Sequence, residues 1–353
     1  MKINTNINTI VISESVSIVD AMTKLNLAPD QTLFVVSKDN VLLGTLTDGD
    51  LRRSIIAGAD LHNPISSIYN KEPHFLIEKE FNDEAVVTIF LEDDFKIIPV
   101  ISDNKKIIGY ISAKDYSNTD TNISKVNIPV VIMAGGRGSR LEPFTKILPK
   151  PLIPLNEKAI IEHIIDKFTF YGNNSIYLTL NYKSKLIKAF FDDLQKDYTI
   201  NFIDEKMELG TAGSLKLLEG VVDSSFFISN CDVLVDVDLS DFYNVHNENN
   251  NLLTVVVSTM KHILPYGSCD LNSDGSLRGI IEKPATNHLV NTGFYIMNSK
   301  ILKYIPENKS YDMPELIVDT IKDGGKVGIY PISDNSWIDV GQWPEYNKAL
   351  EKF

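Results

Sequence analysis

The run Met133-Ala134-Gly135-Gly136-Arg137-Gly138-Ser139-Arg140-Leu141 is the most informative part of this chain, and it follows an apolar run at residues 128–132. A short apolar run bounded by a turn signal predicts a buried strand. The three glycines let the backbone approach a bulky anion closely and turn its N–H groups toward it. Two arginines and two lysines lie between residues 137 and 150, and such cations neutralise phosphate groups. The sequence therefore predicts a nucleoside triphosphate site directly after a strand.

Two familiar phosphate-binding loops are excluded by the same stretch. A Rossmann fingerprint requires a third glycine three positions after Gly138, where this chain has Leu141. A P-loop ends in Gly-Lys-Ser/Thr, whereas Gly138 is followed by Ser139 and Arg140. The alternative is an ordinary glycine-rich turn with surface cations, which leaves the joint match of so many positions unexplained.

The full run resembles the signature loop of the sugar-phosphate nucleotidyltransferases, also called nucleotide-sugar pyrophosphorylases. That signature reads apolar-Ala-Gly-Gly-x-Gly-Thr/Ser-Arg-Leu-x-Pro-x-Thr, followed by Lys-Pro. The chain matches it with Ser139, Pro143, Thr145 and Lys150-Pro151. The resemblance covers about residues 127–348. It implies a Rossmann-like α/β domain that joins a nucleoside triphosphate to a sugar 1-phosphate and releases pyrophosphate.

Composition narrows the class of protein. The chain has 353 residues, enough for two domains, and 43% of them are hydrophobic, which is ordinary for a protein with a buried core. The formal charge of −13 argues against nucleic-acid binding, which usually needs a basic face. No apolar run is long enough to span a bilayer, and the first residues lack the pattern of a secretory signal. We therefore expect a cytoplasmic protein with no membrane partner.

Strands and helices alternate from residue 126 onward. The predicted helices, at residues 158–170 and 184–196, carry apolar residues at three- and four-residue spacing. The predicted strands are residues 128–133, 176–180, 226–230, 253–258 and 293–297. Alternation of this kind predicts an α/β fold with a mostly parallel, mixed sheet and helices on both faces. Binding sites in such sheets lie beyond the carboxyl ends of the strands, where the signature loop falls.

The reaction implied by the resemblance is an in-line displacement at the α-phosphorus that brings two anions together. Its site needs cations, a magnesium ion and carboxylates that hold the magnesium. Asp232 follows the apolar strand at 226–230, and Asp339 lies in Trp337-Ile338-Asp339-Val340-Gly341. An aspartate after a strand is more often a turn former. The family resemblance implies instead that Asp232 and Asp339 bind the catalytic Mg²⁺.

The same resemblance implies the roles of the signature residues. Arg140 would bind the triphosphate and stabilise the charge of the transition state. Lys150 would contact the phosphates at the reaction centre, and its place between two prolines that fix the backbone disfavours the alternative of a solvated surface lysine. The nucleotide would contact the loop at Ala134, Gly135, Gly136, Gly138 and Ser139.

A second motif is Glu205-Lys206-Met207-Glu208-Leu209-Gly210-Thr211-Ala212-Gly213-Ser214. It matches the segment that shapes the nucleobase pocket in the family. Gly210 permits a tight turn, and the small residues after it leave room for a flat base. The residues assigned to the nucleotide site are Glu205, Gly210, Thr211 and Ala212. The alternative is a simple capped turn between a strand and a helix, and the segment alone does not identify the base.

Three further segments match the sugar side of the family's site, in the correct order along the chain. Tyr266-Gly267 resembles the turn near the hexose. Glu282-Lys283-Pro284 resembles an element in which Glu282 contacts sugar hydroxyls and Lys283 contacts the sugar phosphate. Asn291-Thr292-Gly293 resembles the Asn-x-Gly turn that also faces the sugar. Because each segment alone is a commonplace turn, the assignment of Tyr266, Gly267, Glu282, Lys283 and Asn291 depends on their shared order.

The first part of the chain carries a weak internal duplication, ahead of a polar linker at residues 117–122. A hairpin at residues 32–46 leads to Thr47-Asp48-Gly49-Asp50, and a hairpin at residues 96–111 leads to Ser112-Ala113-Lys114-Asp115. The pattern resembles a tandem pair of CBS (cystathionine-β-synthase-type) domains. The sequence thus divides into an α+β tandem CBS module at residues 1–120 and a nucleotidyltransferase domain at residues 126–353.

The resemblance to CBS pairs implies an adenosine-containing ligand between the two copies. In that family the aspartate of a Ser/Thr-x-x-Asp pattern contacts the ribose, and the matching residues are Thr47 with Asp50 and Ser112 with Asp115. The alternative is that Thr47 and Ser112 only cap helices in a dimerisation module, because capping and ligand binding use the same atoms. CBS pairs often associate in twos, so we expect a homo-oligomer.

A CBS pair ahead of a short nucleotidyltransferase resembles the guanylyltransferases that activate glucosamine 1-phosphate for legionaminic acid synthesis. This architecture favours GTP, while UTP, dTTP and CTP stay open, as do mannose, glucose and heptose phosphates. A non-catalytic nucleotide sensor is disfavoured because Arg140, Lys150, Asp232 and Asp339 occur together. The fusion also predicts that an adenine nucleotide near Asp50 changes turnover.

Overall fold

The structure is a computed structural model that describes residues 3–78, 86, 89–90, 95–113 and 124–352. The chain divides into two compact units. The first comprises Met1–Asn122, Thr259–Leu289 and Pro331–Asn335; the second comprises Ile123–Ser258, Val290–Tyr330 and Ser336–Phe353. The first unit thus includes two segments that the sequence places in the second domain.

The first unit contains two three-stranded sheets with the same topology. In each sheet a short strand pairs in parallel with the first strand of a hairpin, whose two strands pair antiparallel. The first sheet comprises β1 (Val11–Ser13), β2 (Thr32–Val36) and β3 (Leu42–Thr47), and the second comprises β4 (Leu76–Ile77), β5 (Ile97–Ile101) and β6 (Ile107–Ser112). The duplication in the sequence is therefore present in the fold.

The turns of the two hairpins exchange backbone hydrogen bonds. The N–H of Leu42 donates to the carbonyl of Lys105 at 3.0 Å, and the N–H of Ile107 donates to the carbonyl of Asn40 at 3.0 Å. Each partner occupies the same place in its own hairpin, so the two bonds are reciprocal. The copies are thus related by an approximate twofold axis.

Two described helices and a further hairpin complete the first unit. Helix α1 (Ile18–Leu25) begins after Ser17, whose hydroxyl accepts a bond from the N–H of Asp20. Its buried residues Ile18, Met22 and Leu25 share one face, as an amphipathic helix requires. Helix α2 (Asp48–Ile56) begins after Thr47. The segment Thr259–Leu289 contains an antiparallel pair, β15 (Ser268–Leu271) and β16 (Leu277–Ile281).

A seven-stranded sheet forms the centre of the second unit. Its order is β11 (Thr199–Asp204), β10 (Ser175–Leu180), β7 (Val130–Met133), β12 (Ser225–Asn230), β17 (Ala285–Asn298), β14 (Leu253–Ile263) and β18 (Val327–Ile332). The first four strands run parallel, and β17 pairs antiparallel with β12. The outer ends of β14, β17 and β18 belong to the first unit. The predicted α/β fold with a mostly parallel, mixed sheet is confirmed for this domain.

Helices and short strands surround this sheet. The helices are α3 (Phe144–Ile147), α4 (Ile160–Phe170), α5 (Ser184–Asp193), α6 (Gly210–Gly213), α7 (Leu239–Glu248), α8 (Met313–Lys322) and α9 (Trp343–Lys352). The short antiparallel pairs are β8 (Pro154–Leu155) with β9 (Lys158–Ala159), and β13 (Val233–Val235) with β19 (Trp337–Asp339). Among the described residues, no helix combines the length and apolar composition that a bilayer span requires.

The core explains where the predicted elements begin and end. Val130, Val131 and Ile132 are fully buried, as expected for a central parallel strand covered on both faces. Helix α4 begins two residues later than predicted because Lys158 and Ala159 pair with β8. Helix α5 ends at Asp193 rather than at residue 196, where the ammonium of Lys196 turns back to the carbonyl of Phe191.

Candidate active site

The parallel strands deliver the predicted site residues to one edge of the sheet. Met133, at the end of β7, pairs in register with Asn230, at the end of β12. Leu180, at the end of β10, pairs with Asp204, at the end of β11. Four parts of the chain therefore leave the sheet at its carboxyl edge: the signature loop, the residues after Leu180, the segment that begins at Glu205, and Asp232.

A cavity of about 440 Å³ lies at this edge. It falls within the range of small-molecule sites. The predicted residues that line it are Gly135, Gly136, Gly138, Ser139, Arg140, Lys150, Glu205, Gly210, Thr211 and Asp232. Ala134 and Ala212 are buried and do not line it. The N–H of Ala134 donates to the carbonyl of Thr179 and so continues the strand pairing.

Close packing favours glycine at two of the three loop positions, whereas a Cβ on Gly136 would meet nothing within 4 Å. A Cβ placed on Gly135 would lie 2.6 Å from Oε1 of Glu205. Gly138 has a φ of +67°, and a Cβ there would lie 2.9 Å from Cβ of Lys150 and 3.0 Å from Cγ2 of Thr145. The loop therefore packs directly on the second motif, residues 205–214, which we term the base segment, and on the segment that carries Lys150.

Lys150 and the two aspartates converge on one point. The ammonium of Lys150 donates to Oδ2 of Asp232, and both side chains are about nine-tenths buried. A Cβ placed on Gly341 would lie 2.6 Å from Oδ2 of Asp232, 2.6 Å from Nζ of Lys150 and 2.7 Å from Oδ1 of Asp339. Only a residue without a side chain fits between these three charged groups.

A two-stranded ribbon brings the aspartates together. Val233 of β13 pairs with Asp339 of β19, and the N–H of Val340 donates to the carbonyl of Asp232 at 2.9 Å. Each aspartate thus lies at the end of one ribbon strand. The register of the ribbon, rather than either strand alone, sets the approach of the two carboxylates.

The pKa of Asp339 is shifted by burial and by the charged groups around it. Burial raises the pKa of Asp339, and the nearby Asp232 carboxylate raises it further. The N–H of Gly341, which donates to Asp339 at 2.8 Å, and the cations of Lys150 and Arg140 oppose this rise. Burial raises the pKa of Cys231 to about 12, so this thiol keeps its proton at neutral pH.

The two carboxylates fit the role of magnesium ligands. Among the described residues, no group of three or more His, Cys, Asp and Glu side chains could hold a metal ion. Magnesium, however, is commonly held by one or two carboxylates together with substrate phosphates. The repulsion between Asp232 and Asp339, which raises the pKa of Asp339, is the kind of interaction that a divalent cation relieves.

The base segment is held from behind by the turn that precedes α8. Gly210 has a φ of +77°, and a Cβ there would lie 2.8 Å from the carbonyl oxygen of Tyr311. Oδ1 of Asp312 accepts from the N–H of Thr211 at 2.9 Å, and the hydroxyl of Thr211 accepts from the N–H of Met313 at 2.8 Å. Thr211 is therefore engaged in fixing the segment as well as lining the cavity.

Glu205 and Glu208 bring carboxylates to the same cavity. Burial raises the pKa of Glu205, and a hydrogen bond from the backbone of Leu209 opposes this rise. Glu208 accepts from Nε of Arg137 at 2.8 Å, and both of these side chains are exposed. This exposed ion pair joins the signature loop, also termed the glycine loop, to the base segment.

The sugar-side residues lie in both units. Tyr266, Gly267, Glu282 and Lys283 belong to the segment Thr259–Leu289 of the first unit. There, a Cβ placed on Gly267 would lie 3.0 Å from Oε2 of Glu282, so the Tyr266-Gly267 turn lies beside Glu282.

Asn291 belongs to the second unit. Its amide donates to the hydroxyl of Tyr295 at 2.8 Å and accepts from the N–H of Gly293 at 3.0 Å. A Cβ placed on Gly293 would lie 2.5 Å from Nδ2 of Asn230, which lines the cavity. The structure thus brings the Asn291–Gly293 turn beside this cavity.

Thr47 and Asp50 form a capping box at the start of α2. Oδ2 of Asp50 accepts from the N–H and the hydroxyl of Thr47, at 2.9 and 2.7 Å, and Oδ1 accepts from Arg53 at 2.6 Å. Ser112 is buried, and its hydroxyl donates to Asp30 at 3.3 Å. Asp115 lies outside the described residues. Oδ2 of Asp50 serves the helix cap and Oδ1 pairs with Arg53, so a ribose would have to share these oxygens.

Some residues of the site were not found from the sequence. Asn230 and Thr179 line the cavity, and Asp312 holds the base segment from more than one hundred residues away. The position of Asn230 at the end of a predicted strand, two residues before Asp232, was a signal that could have identified it. No local pattern marks Asp312, because it acts through a long-range contact with a backbone N–H.

A mostly parallel sheet whose strands end at a glycine loop, a buried lysine and paired carboxylates is an arrangement typical of nucleotide-binding proteins. Residues 129–353 match the family model described as Nucleotidyl transferase, and the chain belongs to this family.

Similar proteins include enzymes that use different nucleotides. The chain is 28% identical over 240 residues to a UTP–glucose-1-phosphate uridylyltransferase of Synechocystis sp., with 62% of each chain covered. It is 31% identical over 221 residues to a mannose-1-phosphate guanyltransferase of Hypocrea jecorina, with 60% of each covered. The chain thus spans about three-fifths of the length of these curated relatives. The crystal structure of HddC from Yersinia pseudotuberculosis complexed with GMP-PN matches with a TM-score of 0.50 and 27% identity, covering 64% of this chain and 99% of that one.

Proposed function

We propose that the chain is a sugar-1-phosphate nucleotidyltransferase, which joins a nucleoside triphosphate to a sugar 1-phosphate and releases pyrophosphate. The observation that carries the proposal is the convergence of Lys150, Asp232 and Asp339 around Gly341, beside the glycine loop. Membership of the family and the activities named for its relatives support it. The residues predicted from the sequence to bind the nucleotide, the sugar phosphate and the metal ion keep those roles in this proposal.

The proposed reaction needs alignment and charge neutralisation. An oxygen of the sugar phosphate attacks the α-phosphorus, and the bond from this phosphorus to the oxygen that bridges to the β-phosphate breaks. Pyrophosphate leaves with the electron pair of that bond. The attacking phosphate is ionised at neutral pH, so no strong general base is required.

Different residues bind the triphosphate, offset the charge of the reacting phosphates and hold the metal ion in this proposal. Arg140 and the loop N–H groups bind the triphosphate, and Lys150 offsets the charge at the reacting phosphates. A magnesium ion held by Asp232 and Asp339 would neutralise phosphate oxygens and align the two substrates. Gly341 lets the three charged side chains approach one point, because a Cβ at this position would meet all three.

We infer that the nucleotide is GTP, and the argument depends on Glu205. A carboxylate only accepts hydrogen bonds, and it has two oxygens that accept in parallel. Guanine presents two neighbouring donors, N1–H and N2–H, whereas uracil and thymine present one N–H between two carbonyl oxygens. Glu205 lines the cavity together with the base segment. The guanyltransferase relatives favour GTP, and the uridylyltransferase relative favours the alternative of UTP; dTTP and CTP are further alternatives.

Further proposals concern the identity of the sugar substrate, the ligand of the N-terminal CBS module and the oligomeric state. We propose glucosamine 1-phosphate as the sugar substrate, in a legionaminic acid route, with mannose, glucose and heptose phosphates as alternatives. We also propose that residues 1–120 form a CBS pair that binds an adenine nucleotide at Thr47 and Asp50. Residues 126–353 would then form the catalytic domain. We further propose that the chain is a cytoplasmic homo-oligomer. The matching topology of the two sheets in the first unit supports the paired module.

Pyrophosphate release tests the function directly. The full chain is incubated with Mg²⁺, each of GTP, UTP, dTTP and CTP, and a panel of sugar 1-phosphates. We expect release with GTP and an amino sugar phosphate, and a loss of release in Lys150→Met and Asp339→Asn. Nucleotide binding without release from any pair would instead favour a non-catalytic sensor.

A further inference from the structure

We propose that Asn181-Tyr182-Lys183, the tripeptide that follows β10, is a clamp that holds the nucleotide site in its binding geometry before the triphosphate arrives. The proposal rests on the proposed function, since it concerns the site of that reaction. The residues of the clamp bond to three segments of the site, and the hydroxyl of Tyr182 shares the carbonyl of Thr145 with Lys183. All these bonds lie within the second unit.

The first two residues of the clamp hold backbone carbonyls beside the base and the phosphates. Nδ2 of Asn181 donates to the carbonyl of Glu205 at 3.2 Å, which fixes the start of the base segment. The N–H of Tyr182 donates to the carbonyl of Gly135 at 3.2 Å, which fixes the start of the glycine loop. These two bonds thus connect the base segment and the glycine loop, which both line the cavity.

Lys183 holds the segment that leads to Lys150. Its ammonium donates to the carbonyls of Thr145, Lys146 and Ile147, at 3.2, 2.6 and 2.9 Å. These are carbonyls of the short helix α3, and the last carbonyls of a helix have no partner within it. A positive charge at a helix C-terminus is also favourable. An ammonium has three donors and all three are engaged, so Lys183 is a positioning residue with no donor left for a phosphate.

The segment that Lys183 holds contacts the glycine loop. Cγ2 of Thr145 lies 3.0 Å from the position of a Cβ on Gly138, and Lys150 follows Thr145 by five residues. Thr145 is buried and Phe144 packs against Trp343, but Phe144 is 44% exposed and Ile147 is 77% exposed, so the segment is only partly held by packing. The bonds from Lys183 therefore add to the packing that keeps Thr145 against the loop and Lys150 near Asp232.

The backbone of Lys183 supports a role for its side chain. The residue has a φ of 53° and a ψ of 31°, in the left-handed region that glycine adopts most readily. A glycine would therefore relieve the backbone at this position. A lysine here is explained by the bonds that its ammonium makes, and Lys183→Gly removes those bonds while the backbone keeps its conformation.

The test compares Lys183→Met and Lys183→Gly with Lys326→Met in the full chain. Lys326 is a matched control, because its ammonium donates to the carbonyl of Asn249 at 2.6 Å at the end of α7 and lines no part of the cavity. Without the clamp, the triphosphate must order the site as it binds. We expect the KM for GTP, and the Kd of a non-hydrolysable GTP analogue, to rise about tenfold to hundredfold in both Lys183 variants. We expect kcat at saturation to stay within about threefold, and Lys183→Arg to restore part of the affinity.

Hydrogen exchange gives a readout that does not depend on turnover. Amides between residues 138 and 150 should exchange faster in both Lys183 variants, while the rest of the second unit and Lys326→Met keep the wild-type pattern. Unchanged exchange and unchanged analogue binding in both variants would overturn the clamp. A fall in kcat like that of Lys150→Met, with KM unaltered, would also overturn it. If the wild type releases no pyrophosphate, the proposed function fails, but the exchange measurement still decides whether the clamp exists.

Discussion

The ammonium of Lys150 is hydrogen-bonded to the carboxylate of Asp232, and both side chains are largely buried. A buried ion pair depends on its geometry, because removal of one partner leaves an uncompensated charge. Asp339 lies at the same point and adds a second negative charge. The centre of the site is thus an arrangement of one cation and two anions that a second cation would complete.

The first prediction concerns this pair. Lys150→Met should lower the free energy of unfolding by about 3–5 kcal/mol, because it leaves Asp232 buried without its partner. Lys150→Met combined with Asp232→Asn should recover much of that stability but no pyrophosphate release. Urea denaturation and the release assay measure the two effects. Lys158→Met, which removes an exposed pair with Asp166, is the control and should change stability by less than about 1 kcal/mol. Equal losses from Lys150→Met and Lys158→Met would contradict the prediction.

The second prediction concerns Gly341. In Gly341→Ala, the added Cβ meets Asp232, Lys150 and Asp339 at 2.6–2.7 Å and must displace at least one of them. We expect pyrophosphate release to fall at least about 100-fold, because a displacement of about 1 Å in a site of this kind has that effect. Gly279→Ala is the control, since a Cβ there meets nothing within 4 Å. Release within about threefold of the wild type in Gly341→Ala would show that the three groups need not stay together.

The third prediction concerns the base. Glu205→Gln replaces one acceptor oxygen by an NH₂ group, which cannot accept from guanine but can donate to a carbonyl of uracil or thymine. We expect kcat/KM for GTP to fall by about 10²-fold or more, and kcat/KM for UTP or dTTP to rise relative to it. Glu208→Gln is the comparison, because Glu208 is exposed and paired with Arg137. If both variants change GTP use equally, Glu205 does not select the base.

The fourth prediction concerns His246 and the pH dependence of stability. Burial lowers the pKa of His246 to about 4, and its Nδ1 lies 2.8 Å from the hydroxyl of Thr254. The unfolded chain takes up this proton near pH 6.5, whereas the folded chain does so only near pH 4. The free energy of unfolding should therefore decrease as the pH falls from about 6.5 to 4, with a slope of up to about 1.4 kcal/mol per pH unit from this group.

Urea denaturation across this pH range measures the contribution of His246. His246→Gln should have a flatter profile than the wild type between pH 6.5 and 4. His62→Gln, a substitution at an exposed histidine, is the control variant. A wild-type slope in His246→Gln would mean that other groups cause the pH dependence.

The fifth prediction concerns the first unit. Asp50→Asn should weaken the binding of AMP or ATP, measured by calorimetry, and should remove any change in turnover that the nucleotide causes. The variant also weakens a helix cap, which contributes about 1 kcal/mol. Asp20→Asn is the matched control, because Asp20 accepts from Ser17 at the start of α1 in the same kind of cap. Equal nucleotide binding by both variants and the wild type would leave Asp50 with capping alone.

The sequence predicted the elements that depend on local pattern. The strands before the signature loop and before Asp232 were visible as apolar runs, and the rule for parallel sheets placed their ends together. Strand β11 was not predicted, since none of its residues Thr199–Asp204 is fully buried at the edge of the sheet and they lack a strong pattern. Local periodicity thus identified the centre of the sheet better than its border.

The site needed information that no local pattern contains. The ribbon that joins Asp232 to Asp339 pairs two three-residue strands about one hundred residues apart. Strands this short have no period of their own, so only the family resemblance pointed to both aspartates. The contact of Asp312 with Thr211 and those of Lys183 with α3 are bonds from side chains to backbone atoms, which the sequence does not encode as a motif.

The reciprocal bonds between Leu42 and Lys105, and between Ile107 and Asn40, have a consequence for the independence of the two halves of the first unit. Each hairpin turn supplies a donor and an acceptor to the other turn. An isolated half would leave these backbone groups to water, so the two halves stabilise each other.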